Sequence, residues 1–150
     1  MKTIIAAIVL VAATPLIARP ADKVLMPTDP AALAQQNQYG YADAVIAGDT
    51  IYLSGVIAAP RAGETSLVPA YERAFVTIAA TLQRVGASWD DVVDMTTFHT
   101  DLAAQASDIA AVKNRYVKAP FPAWTAIGNA KLFEPTGVTE IKVTALRPKP

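Results

Sequence analysis

A single mixed β-sheet with two helices on one face, an α+β domain, is the fold this sequence predicts. Three observations lead there. β-rich stretches recur at residues 42–47, 50–57, 92–101, 121–128 and 138–146. Longer stretches with helical spacing run over 69–85 and 102–118. The resulting order of strand, strand, helix, strand, helix, strand, strand contains a strand–helix–strand unit, and its crossover makes the sheet mixed.

Lys2 precedes the apolar run Ile4 to Ala13, and Thr14 to Ala18 follow with Pro15 among them. A positive residue, a short apolar stretch and small residues read as a signal peptide over 1–18, too short and interrupted for a span of about 20 apolar residues. The cleavage site is open, because Leu16 or Val11 would occupy the third position before the cut. The expected product is exported and periplasmic, with no membrane segment after cleavage. Residues 19–40 read as an extended lead-in in which Asp29-Pro30 starts a short helical turn over Ala31 to Gln35. The domain proper is assigned to 41–150.

Gly48-Asp49 joins two β-runs into a hairpin. The second run, Thr50 to Ile57, contains Ser54-Gly55, which reads either as a β-bulge or as part of a site. Alternation places Ile51, Leu53 and Ile57 on one face and Tyr52 and Val56 on the other. In the first helix Phe75, Ile78, Ala79, Leu82 and Val85 form the apolar stripe, and Gly86 stops it. Ser88 to Asp91 turns into the third strand. Ile109, Val112, Tyr116 and Val117 mark the second helix. Glu134-Pro135-Thr136-Gly137 separates the last two β-runs, which are expected to be antiparallel neighbours.

The 150 residues suffice for one domain; 53% are hydrophobic and 17% charged. A net charge of zero without a basic run argues against nucleic acid as a partner. No cysteine is present, which removes disulfides, thiolate metal ligands and cysteine nucleophiles. The one histidine, His99, has too few companions for a zinc site and is read as a hydrogen-bonded sheet residue. No phosphate-binding glycine motif and no glycosylation acceptor occurs, so neither metal nor cofactor is expected.

Across residues 40 to 147 the chain resembles the RidA (YjgF/YER057c) family. The residues that carry the resemblance are Tyr41, Ser54-Gly55, Thr96-Thr97-Phe98, Asp101-Leu102, Pro122-Ala123 and Glu140-Ile141, in that order at compatible spacings. The resemblance implies a homotrimer with ligand pockets between subunits, lined here by Tyr41, Ser54, Trp124 and Glu140. It also implies that Glu140 orients the water that attacks an imine carbon. Where the family carries the arginine that grips a substrate carboxylate, this chain has Trp124, and Lys131 and Lys142 are the nearby candidates for a substitute cation.

The strands are apolar on both faces, so a second copy is the simplest cover for the face without helices. A neutral indole offers one donor where a guanidinium offers a charged fork worth about 1.5–3 kcal/mol per charge-assisted bond. The expected activity is therefore that of a C=N hydrolase, deaminating small enamines or imines but acting poorly on 2-imino acids. The alternatives are a non-catalytic module that binds a planar small molecule and a holdase-like chaperone.

Overall fold

The computed structural model describes residues 19–148; the expected signal peptide lies outside the described residues. Among the described residues seven strands and three α-helices follow one another. Strand β1 (Val24–Leu25) and helix α1 (Pro30–Tyr39) precede β2 (Ala44–Ala47), β3 (Thr50–Leu53) and β4 (Val56–Ala58). Helix α2 (Val68–Arg84), β5 (Val92–His99), α3 (Leu102–Tyr116), β6 (Ala123–Gly128) and β7 (Thr139–Leu146) complete the chain. They form one mixed sheet in the order β1-β2-β3-β7-β5-β6, with β4 also on β7. Among the described strands only β5 and β6 run parallel to each other.

The helices begin and end where local chemistry dictates. Asp29 accepts a hydrogen bond from the Ala32 amide at 2.9 Å, and Pro30 starts α1 at a position that needs no donor. Gly40 then closes the helix in the left-handed region, at φ 71°. The lead-in over 19–40 is thus not simply extended: it supplies a sheet strand and a ten-residue helix, twice the expected turn. Asp101 caps α3 in the same way, through the Ala104 amide.

Helices α2 and α3 cover one face of the sheet. Ala70, Tyr71, Ala74, Phe75, Ile78 and Leu82 from α2, with Ile109 and Val112 from α3, pack on Ile51, Leu53, Met95, Ile141, Val143 and Ala145. This is the two-helix layer that the stripes predict, with α1 as a third, shorter helix. The opposite face carries Tyr52 (47% exposed), Leu146 (46%) and Ile127 (40%), and no helix among the described residues seals it.

Two expectations about register are overturned. The stretches 121–128 and 138–146 are not neighbours, because β5 lies between them, parallel to β6 and antiparallel to β7. Glu134 to Gly137 does form a turn, closed by the Gly137 amide on the Glu134 carbonyl at 2.9 Å, but it lies within a longer connection, and β5 takes the place between the two strands, satisfying its backbone groups on both edges. Second, Tyr52 pairs with Thr144 and Val56 with Ile141, so Leu53, Ser54 and Gly55 stand opposite only Val143 and Lys142. The extra residue is a β-bulge, and it reverses the side-chain alternation. Val56 and Ala58 therefore face the helices, while Ile57 pairs with Glu140 on the outer face.

Candidate functional site

The bulge opens a cavity of about 750 Å³ at the end of β3, bounded by α1, α2 and the loop between β6 and β7. Tyr41, Ser54 and Glu140 all line it. Each arrives by a different route. Ser54 sits in the bulge, where its amide donates to the Asp43 carbonyl and its hydroxyl to the Ala42 carbonyl at 2.6 Å. That bond holds the bulged strand against the segment leading into β2. Tyr41 follows the Gly40 cap and is 43% exposed.

Glu140 lies on β7 with Lys142 and Thr144 on the outer face, while Ile141, Val143 and Ala145 are buried beneath the helices. Its carboxylate is seated over Gly55: a Cβ built on that glycine would stand 1.9 Å from Glu140 Oε1. Glycine is therefore required for the approach of a side chain, not for a special backbone angle. Among the described residues no donor within hydrogen-bond reach engages the Glu140 carboxylate, and no ion pair joins it to Lys142. Lys142 and Lys131 are both exposed, and neither lines the cavity.

The electrostatic character of the lining is one-sided. Its ionisable acids are Asp43, Glu134 and Glu140, and no lysine, arginine or histidine accompanies them among the lining residues. Asp43 is paired from behind with Arg84 at 2.8 Å and accepts a hydrogen bond from the Gln36 amide at 2.6 Å. Gln36 is buried, and its Oε1 has no partner among the described residues. At the rim, Tyr39 of α1 meets Phe133 edge to face, with centroids 5.2 Å apart. The cavity thus offers acceptors and aromatic surface.

Trp124 is elsewhere. It pairs with Met95 across the parallel β5–β6 ladder and so shares the helix-facing side, whereas Glu140 pairs with Phe98 and faces outward. Within one chain the two residues lie on opposite faces of the sheet and line different cavities. The physical reason is the intervening strand: parity along β5 decides which face each neighbour joins. The indole donor is also already used, because Nε1 donates to Thr97 Oγ1 at 3.1 Å.

Thr97 belongs to a buried polar chain. His99 Nε2 is 2.8 Å from Thr97 Oγ1, and its Nδ1 lies 3.1 Å from Thr139 Oγ1 and 3.2 Å from Gln105 Oε1. Tyr71 closes the chain on Thr139 at 2.9 Å. Burial holds the His99 imidazole below its ordinary pKa, against the opposing pull of Gln105, so it is a neutral structural group as expected. Burial likewise raises the Tyr71 phenol.

Sequence reasoning misses Gln36, Tyr39 and Phe133 in the cavity wall, since contacts between α1 and a distant loop leave no periodic signal. The sequence marks Gly55 as a bulge candidate but carries no sign that it seats Glu140. Lys113, whose ammonium lies 4.9 Å from the Trp124 ring centre, was also missed. Its signal was available: it stands four residues after Ile109, on the inner stripe of α3. No described helix is long and apolar enough to cross a membrane, and no group of three or more histidine, aspartate or glutamate side chains among the described residues is placed to hold a metal.

Comparison with known proteins agrees with this architecture. The protein-family model described as Endoribonuclease L-PSP matches residues 30–147. The RutC family protein YjgH of Escherichia coli (strain K12) is 37% identical over 94 residues, covering 61% of this chain and 72% of that protein. A solved structure of protein YJGH superposes with a TM-score of 0.73 at 31% identity, over 89% of this chain and all of that one. RidA from the Antarctic bacterium Psychrobacter sp. superposes with a TM-score of 0.63 at 26% identity, over 87% and 98% of the two chains. A match over most of the chain, a bulged mixed sheet and the order of motifs from Tyr41 to Glu140 thus coincide: the chain belongs to the Endoribonuclease L-PSP family, the group that includes YjgF and RidA.

Proposed function

We propose that this protein hydrolyses small imines or enamines that lack a carboxylate, in clefts completed by a second copy of the chain, with Glu140 as the residue that orients and deprotonates water. The observation that carries this reading is the Glu140 carboxylate itself. It rests over Gly55 beside Tyr41 and Ser54, and no donor of the described chain occupies it.

In the proposed step, a water hydrogen-bonded to Glu140 gives up a proton to the carboxylate as its oxygen attacks the C=N carbon. The protonated Glu140 then returns that proton to the nitrogen, and collapse of the carbinolamine expels ammonia and leaves a carbonyl. An acceptor-rich, cation-free lining favours a neutral or protonated imine and disfavours a carboxylate. Aromatic edges at Tyr39, Tyr41 and Phe133 suit a planar ligand.

Assembly as a homotrimer is part of the proposal. The open sheet face with Tyr52, Ile127 and Leu146 supports it, since each 100 Å² covered by a neighbour contributes about 2.5 kcal/mol gross. Separation of Trp124 from Glu140 within one chain also fits a cleft built from two chains. Export to the periplasm belongs to the same reading, and cell fractionation with the mature mass tests it.

Ammonia release from a neutral imine generated in situ, compared with release from 2-iminopropanoate, tests the activity. Preference for the neutral imine is the expected result; rates on 2-iminopropanoate matching those of an arginine-bearing relative would refute the specificity. A binding module without turnover is the second reading, favoured by the aromatic rim. Glu140→Gln separates the two: it lowers a hydrolytic rate by about 10²-fold or more but leaves ligand-induced thermal stabilisation nearly intact if the site only binds.

A further inference from the structure

Lys113 projects from the last turns of α3 toward the sheet and is only 8% exposed. Lysines are rarely buried so far without a carboxylate, and among the described residues none lies within ion-pair distance of this one. Its hydrogen-bond partner is the side-chain oxygen of its neighbour Asn114, at 2.8 Å. Two aromatic rings complete the surroundings, Trp124 with its centre at 4.9 Å and Phe121 at 5.7 Å. Beside them is a separate cavity of about 300 Å³, lined by Met95, Lys113, Asn114, Phe121, Pro122 and Trp124.

From this geometry we propose that Lys113 is a nucleophilic amine that captures small aldehydes or ketones as imines in the cavity beside Trp124. Within one chain the proposal uses no residue that lines the Glu140 cavity, and it requires no activity of Glu140.

The surroundings favour a free amine over an ammonium ion. Burial lowers the pKa of Lys113, and a neutral amide oxygen with two ring faces compensates only part of the lost hydration. Trp124, although 39% exposed itself, is held over the amine by its Nε1 bond to Thr97, which is tied in turn to His99. A desolvated lysine held in an apolar pocket is the form in which this side chain attacks carbonyls. Anion binding fits less well: a carboxylate beside Lys113 would find no second donor side chain among the cavity's lining apart from the Asn114 amide.

In the step itself, the Lys113 nitrogen lone pair attacks the carbonyl carbon and a proton passes from nitrogen to the former carbonyl oxygen. The carbinolamine then loses water to give the C=N bond. Charge and atoms balance with no oxidant or reductant, and the neutral product suits apolar walls.

The test uses the full-length wild-type protein with propanal, trapped by borohydride and mapped by peptide mass. Propyl should accumulate on Lys113 roughly threefold or more faster than on the exposed Lys118, Lys131 and Lys142, as a lysine perturbed by burial behaves. Lys113→Arg should leave only the surface background, and Trp124→Ala should erase the excess by admitting water. Labelling of Lys113 at or below the rate of the exposed lysines overturns the proposal. So does a site from which acetate excludes propanal but in which no propylated Lys113 can be trapped.

Discussion

At the scale of single residues, a few short contacts decide what the site can do. Glu140 and Gly55 form a pair in which the absence of a Cβ makes room for a carboxylate. Because the atoms such a Cβ would meet, Oε1, Cδ and Cγ of Glu140, all belong to one side chain that can rotate away, Gly55→Ala should leave Tm within about 2 °C of wild type, a surface-scale change. Its effect should appear at the site instead, as a loss of any Glu140-dependent rate comparable to that of Glu140→Gln; an unchanged rate would show that the seat over Gly55 is irrelevant. His99 makes a second prediction. Its folded pKa is lowered, so its stabilising contribution as a neutral group is fully present above the unfolded value of about 6.5 and declines as pH falls through it. Thermal melts should lose stability between pH 7.5 and 5, and His99→Gln should flatten that slope. Lys113 makes a third: exchanging a buried amine that has no carboxylate partner among the described residues for an apolar side chain in Lys113→Met should raise Tm by about 2–4 °C. A fall in Tm would mean that the two ring faces outweigh desolvation.

At the scale of elements, capping and register do most of the positioning. The loop after β4 is tied to α2 by Arg73, whose guanidinium grips both Glu64 oxygens and the Ala59 carbonyl, while the Arg61 amide donates to the same carboxylate. The Arg73 hydrogen bond, with that of Arg61, pulls the Glu64 carboxyl down to about 2. The loop anchor is therefore intact above the ordinary carboxylate range and is lost only as pH falls from there toward about 2. An NMR titration of Glu64 should find its midpoint near 2, and Arg73→Ala should return it to the usual carboxylate range; a normal midpoint in wild type would remove the anchor. Helix stripes, caps and the Gly48 and Gly86 turns were legible because they are local, repeating within a few residues. Pairing of β6 with β5, not β7, was not legible, since strand neighbours are chosen by burial across the whole sheet.

At the scale of the whole molecule, the unequal faces of the sheet carry the prediction. One face is sealed by α2 and α3, and the other leaves Tyr52, Ile127 and Leu146 between 40 and 47% exposed. If sister chains cover that face, a charge placed there should break the assembly without unfolding the subunit. Tyr52→Glu, analysed by light scattering during size exclusion, should shift the mass from three chains toward one. A wild-type protein that runs as a monomer, or a variant that stays trimeric, would refute the covered face and with it the two-chain cleft.

The sequence by itself determined the class of fold, the two amphipathic helices, the RidA-like order of motifs and the presence of Tyr41, Ser54 and Glu140 as a set. The fold class and the helices depend on periodicity, which any stretch of chain carries within itself, whereas the set of Tyr41, Ser54 and Glu140 was implied by the family resemblance. Only the tertiary structure decided that Trp124 stands on the opposite face from Glu140, that Gly55 receives a carboxylate, and that Lys113 lies against the rings of Trp124 and Phe121. Each of these follows from the parity of a strand register or from the packing of a helix on a remote strand. Such relations join residues far apart in the chain, and no local pattern records them.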